Sequence, residues 1–201
     1  MKWLVACLAL SCFAQFPLPE LHTDAVDAGS VFRVKNNQSV PLVAYMIELV
    51  GYPGSFYTFI VDEVNGQPVK QGEERASRVQ NMTVGAVPDY VKLTAALYAD
   101  GSAAGDPAKS AALVERRKAM LEATRGVIQR IKAAKDKKAL IAELNAWADT
   151  IVVPGKATRN SNLNGGRSVV ADAAAALETL SLEAELAQLK KLESALVAAL
   201  G

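Results

Sequence analysis

Gly101, Gly105, Lys109 and Ser110, in the stretch "YADGSAAGDPAKS", are the residue types that grip phosphate: glycines for close backbone approach, then Lys-Ser where a helix could start. Their spacing does not fit. The motif G-x-x-x-x-G-K-[ST] sets its lysine directly after the second glycine; here Gly101 and Gly105 flank three residues and Lys109 follows Ala108. Asp106 would put a negative charge where phosphate sits, and Pro107 has no N–H to donate there. Capping accounts for the same residues. Asp100-Gly101 is a turn pair that ends a strand, Asp106 is a favoured N-cap, and Pro107 suits a first helical position. A Ca²⁺ site built on Asp100, Ser102 and Asp106 is the other chemistry open to this loop, with only two carboxylates to offer.

Few other residues can do chemistry. The only histidine is His22, and both cysteines, Cys7 and Cys12, lie in the N-terminal apolar segment. No G-x-S-x-G, S-x-x-K, H-E-x-x-H or G-x-G-x-x-G pattern occurs. Serine and cysteine triads, histidine acid–base chemistry and His/Cys zinc sites lose their residues, so no catalytic, cofactor-binding or metal-binding set is assigned. A carboxylate-pair hydrolase stays open, because two acids can converge from anywhere in a chain.

Two sets of charges need explaining. Arg117 falls on an apolar helical stripe, three or four residues from Leu113, Val114, Met120 and Leu121, where an unpaired charge is costly. Either it reaches a carboxylate or carbonyls of the preceding loop, Asp100 first among them, or it snorkels from the stripe's edge. Residues 106–138 hold ten Lys or Arg against four Asp or Glu, a local +6 that leaves −5 for the rest of the chain. That strip is either a solvated helix face or an anion-binding surface using Lys109, Arg116, Lys118, Arg125, Arg130, Lys132 and Lys135. Cell-wall polymer and lipopolysaccharide fit such a surface better than nucleic acid, because no aromatics interleave the basic run. Two N-x-[ST] triplets, at Asn37 and Asn81, are chance matches in a non-glycosylating host.

The elements that position these residues follow from period and composition. "MKWLVACLALSCFAQ" has one Lys and an apolar run from Trp3 to Ala14, the pattern of a secretory signal peptide over residues 1–14, cut after Ala14. "LVAC" at Cys7 also has the order of a lipoprotein box. The expected location is the bacterial periplasm or exterior, with a mature chain held by packing instead of disulfides. A Pro-containing connector occupies residues 15–30. From Val31 to Ala99, short runs rich in Val, Ile, Tyr, Phe and Thr alternate with "NNQS", "GYPG", "NGQP" and "GAVPD". This spacing predicts a small antiparallel immunoglobulin-like sandwich of five or six strands, with "PLVAYMIELV" and "SFYTFIVDEV" as its central strands.

Beyond Asp106 the period becomes 3.6, giving an α+β chain whose residues 100–201 form two or three helices. Leu113, Val114, Met120, Leu121, Val127, Ile128 and Ile131 mark one long helix; Leu140, Ile141, Leu144, Trp147 and Ala148 continue it or restart it near Asp136, with Trp147 as a core anchor. A flexible polar loop follows over about 152–167. Val169 to Leu200 lacks Gly and Pro and carries a leucine stripe, which predicts a helix folded back on its own chain or, failing that, a coiled-coil dimer.

"VPLVAY", then "YVKLTAALYADGSAAGD" before a helix bearing "ERRKAML", resembles a group of uncharacterised exported bacterial proteins, many from acidobacteria. Their shared pattern is a sandwich whose last strand ends in a D-G-[ST]-x-x-G-D turn before an Arg-containing helix, and the likeness covers about Val31 to Ala123. The resemblance implies export and the sandwich-then-helix order. It implies no activity and no site residues. The function expected is therefore a non-catalytic exported interaction or structural module binding a protein or cell-envelope polymer, with the anion-binding strip and the carboxylate hydrolase as alternatives.

Overall fold

Seven strands precede four helices in the computed structural model, which describes residues 16–27, 29–50, 56–80, 91–151 and 164–201. The expected signal segment lies outside them. The strands are β1 (Glu20–Val26), β2 (Gly29–Lys35), β3 (Leu42–Val50), β4 (Phe56–Asp62), β5 (Glu74–Gln80), β6 (Val91–Tyr98) and β7 (Ala103–Gly105). The helices are α1 (Pro107–Ala133), α2 (Lys137–Thr150), α3 (Gly165–Thr179) and α4 (Leu182–Leu200). The α+β class holds, with four helices instead of two or three. The stretch Val169–Leu200 breaks because Ser181 accepts the Ala184 N–H at 3.2 Å and caps a new helix, while the Leu180 N–H closes on the Ala176 carbonyl at 2.8 Å.

Two antiparallel sheets form, ordered β1-β2-β5 and β4-β3-β6-β7. They share one core. Phe32 and Val34 of β2 lie with Tyr45, Ile47 and Leu49 of β3 and Leu93, Ala96 and Tyr98 of β6, and the Phe32 and Phe59 rings meet at 5.9 Å. The other face of the four-stranded sheet, carrying Ala44, Met46, Ala95 and Leu97, packs on Leu113 of α1. One sheet is thus apolar on both sides. Two β-bulges shift the alternation of faces: Val43 is the extra residue in β3 and Thr94 the extra residue in β6, and each reverses which side the following residues face.

Several sequence expectations need correction. β3 is central, but β4 lies at the end of its sheet among the described residues. Its two apolar faces come from layers above and below: Phe59 packs into the inter-sheet core and Ile60 against the cluster around Leu113. The connector expected over residues 15–30 contains β1, which pairs in full register with β2. The region expected to be only helical opens with β7. Residues 165–167 of the expected loop are the first turn of α3, capped by Asn164, whose Oδ1 accepts the Arg167 N–H at 3.2 Å.

Helix α1 joins the two halves. Its 27 residues run about 40 Å. Ser110 and Leu113 bury against the sheet, whereas Ala123, Val127, Ile128 and Ile131 lie in the helical core with Leu140, Leu144, Val170, Ala174, Leu177 and Leu189. α3 packs against both α1 and α2, and α4 packs against α1 and, more lightly, α3, so the leucine stripe folds back on its own chain. The second helix restarts at Asp136, which accepts the Lys138 and Ala139 N–H groups at 3.4 and 2.8 Å.

Candidate functional site

The glycine-bearing join is built from backbone hydrogen bonds. Asp100 Oδ1 accepts from the Ser102 N–H at 2.9 Å and the Ser102 hydroxyl at 2.6 Å, which holds that carboxyl below its ordinary value. Gly101 turns the chain with φ 83°. β7 then pairs back on β6, so the loop is a tight hairpin followed by a helix start. Asp106 accepts the N–H groups of Ala108 and Lys109 at 2.8 and 3.3 Å, with Pro107 as first helical residue. Both carboxylates of the alternative Ca²⁺ reading are engaged in this way. Among the described residues no group of three or more His, Cys, Asp or Glu side chains is arranged so that it could hold a metal ion.

Gly105 is demanded twice. Its φ is 87°, and a Cβ there would lie 2.3 Å from the Thr94 carbonyl oxygen. That oxygen belongs to the bulged residue of β6 and accepts the Asp106 N–H at 2.9 Å. The bulge therefore presents a carbonyl to the cap residue, and only a residue without a side chain lets the two backbones come together.

The second bulge positions the charges. Arg117 is 3% exposed, and its partner is Asp62 at the end of β4, which corrects the expectation of Asp100. Arg117 donates from Nη2 to Asp62 Oδ1 at 2.8 Å and from Nε to both carboxylate oxygens at 3.2 Å. A further Nη2 bond reaches the carbonyl of the bulged Val43 at 3.4 Å, the same oxygen that accepts the Glu63 N–H at 2.8 Å. Arg116 donates from Nη1 to Asp62 Oδ2 at 3.1 Å and to the Met120 sulfur at 3.0 Å. Burial pushes the Arg116 guanidinium below its usual range, against the pull of Asp62. Lys109 pairs with Glu48 of β3 one turn into the same helix. These residues clamp α1 to the sheet.

The basic strip is largely engaged. Of its seven named cations, Lys109, Arg116, Lys118, Arg125 and Arg130 pair with Glu48, Asp62, Glu115, Glu193 and Glu143 respectively. Lys132 and Lys135 are exposed. Trp147 is only half-buried, with the Arg130 guanidinium 4.0 Å above its ring. It walls an open groove of about 450 Å³ along α1, with Lys118, Glu122 and Gln129. A second groove, about 570 Å³, runs between β1 and β6 past His22, whose Nε2 lies 2.9 Å from Glu20 in an exposed pair.

Sequence reasoning missed Asp62 and Glu185. Asp62 sits 55 positions from Arg117 and carries no local signal. Glu185 has one: it continues the leucine stripe of α4 and is 4% exposed. Comparison with models of known protein families, with curated proteins and with solved structures finds no match to this chain.

Proposed function

We propose that this chain is a non-catalytic interaction or structural module of the bacterial periplasm or cell surface, its paired sheets an immunoglobulin-like sandwich that binds a protein or a cell-envelope polymer. One observation carries the reading: the residues best placed for chemistry, from Asp100 to Arg117, are occupied in holding a helix to a sheet. Asp106, where a phosphate would have to sit, caps α1. The export half of the reading rests on the apolar run from Trp3 to Ala14 and on the resemblance to exported bacterial proteins.

The mature chain, immobilised and exposed to solubilised native envelope, should retain a discrete partner and hydrolyse none of a panel of glycosides, esters and peptides. A robust hydrolytic activity abolished by one carboxylate substitution overturns the proposal in favour of the carboxylate hydrolase. The anion-binding alternative has five of its seven cations paired within the chain, so passage through heparin at low salt is expected. Retention that falls steeply with salt would revive it.

A further inference from the structure

Helix α4 carries a carboxyl where its fold asks for an apolar side chain. Glu185 lies on the inward stripe with Leu182, Leu186 and Leu189, is 4% exposed, and its Oε2 has no hydrogen-bond partner. A buried carboxylate without a partner is costly, and the cost vanishes when a proton neutralises it. α4 packs on α1 and α3, whereas α3 packs on α1 and α2 without it, so those contacts do not depend on the seating of α4.

The surrounding charges do not relieve Glu185. From α3, Asp172 acts on it as a second negative group. From α1, Arg125 is engaged with Glu193, two turns further along α4. From α2, Lys137 donates to the Leu180 carbonyl at 2.9 Å. Glu183, on α4 itself, faces outward. No cation bears on Glu185 among the described residues.

We propose that Glu185 makes the seating of α4 sensitive to pH, the helix being held firmly while this carboxyl is protonated and loosened when it ionises. Burial first, and Asp172 second, raise its pKa above the ordinary 4.5. A carboxyl raised in the folded state contributes to docking fully below its unfolded value, and that contribution is lost as pH rises through the folded value. α4 is thus held more firmly below the ordinary Glu value than above the raised one.

Hydrogen exchange by mass spectrometry on the full mature chain, corrected for intrinsic rates across pH 4 to 8, tests this. Opening of α4 should increase up to tenfold per pH unit from the ordinary Glu value to the folded one and then level off. Amides of α2 should not follow. Glu185→Gln should flatten the α4 profile, and Glu185→Met, which restores an apolar stripe, gives the same reading if the Gln variant folds poorly. An α4 profile already flat in the native sequence, or one unchanged in both variants, overturns the proposal.

Discussion

Removing the Asp62 carboxylate gives the sharpest test of how α1 is held. Asp62→Ala takes the shared acceptor from Arg117 and Arg116, whose side chains are 4% and 13% exposed. Among the described residues, Arg117 then keeps only the Val43 carbonyl at 3.4 Å. Unit charges near 4 Å attract by about 4 kcal/mol at an effective dielectric of about 20, and breaking such a buried pair from one side costs about 3–5 kcal/mol. At about 2–4 °C per kcal/mol for a domain of this size, the loss is roughly 6–20 °C in Tm. Arg117→Met is milder. It leaves Asp62 facing Arg116 at 3.1 Å, so the cost is about 1–3 kcal/mol. Thermal and urea unfolding of both variants, followed by circular dichroism at 222 nm, should rank the native chain above Arg117→Met and Arg117→Met above Asp62→Ala. Asp62→Ala within about 1 kcal/mol of native, or less harmful than Arg117→Met, refutes the clamp.

The hairpin offers a matched pair: Gly101→Ala meets only an unfavourable φ in open space and should cost about 1 kcal/mol, whereas Gly105→Ala adds a clash with the Thr94 carbonyl and should cost about 2–4 kcal/mol by urea unfolding. Asp106→Ala should lose about 1 kcal/mol and Asp106→Asn only a few tenths, because either Asp or Asn caps a helix well. Tyr98, 2% exposed with its hydroxyl donating to the Pro17 carbonyl at 3.3 Å, has its pKa raised by burial to about 12. Its contribution is complete below the ordinary 10.0 and is lost as pH rises through about 12, so Tyr98→Phe should flatten the decline in stability over that interval and remove a late-titrating component from the absorbance titration at 295 nm.

The change of period near Asp106 is written in residue spacing, and so are the two aspartate caps, because each depends on neighbours within one helical turn. The partner of Arg117 is not local. Asp62 reaches it only after β4 pairs with β3 and the Val43 bulge sets the approach, a geometry no window around either residue contains. β1 was hidden by composition: "ELHTDAV" has no buried residue, as suits an outer strand over a shared core. The break at Ser181 was masked by strong helix formers on both sides. Two apolar faces made β4 look central, although the second covering layer is a helix instead of a strand. The clamp was legible as a demand, a charge on a dry stripe that must be met, but not as a residue number.

A sheet with oil on both sides is a party wall. Ala44, Met46, Ala95 and Leu97 keep dry only because the long helix stands against them. The visible border between strands and helices is therefore no place to cut. A fragment that stops before Pro107 would bare one whole side of that wall to water and should clump on expression, so the half that looks most like a free-standing module is the half that cannot be lifted out.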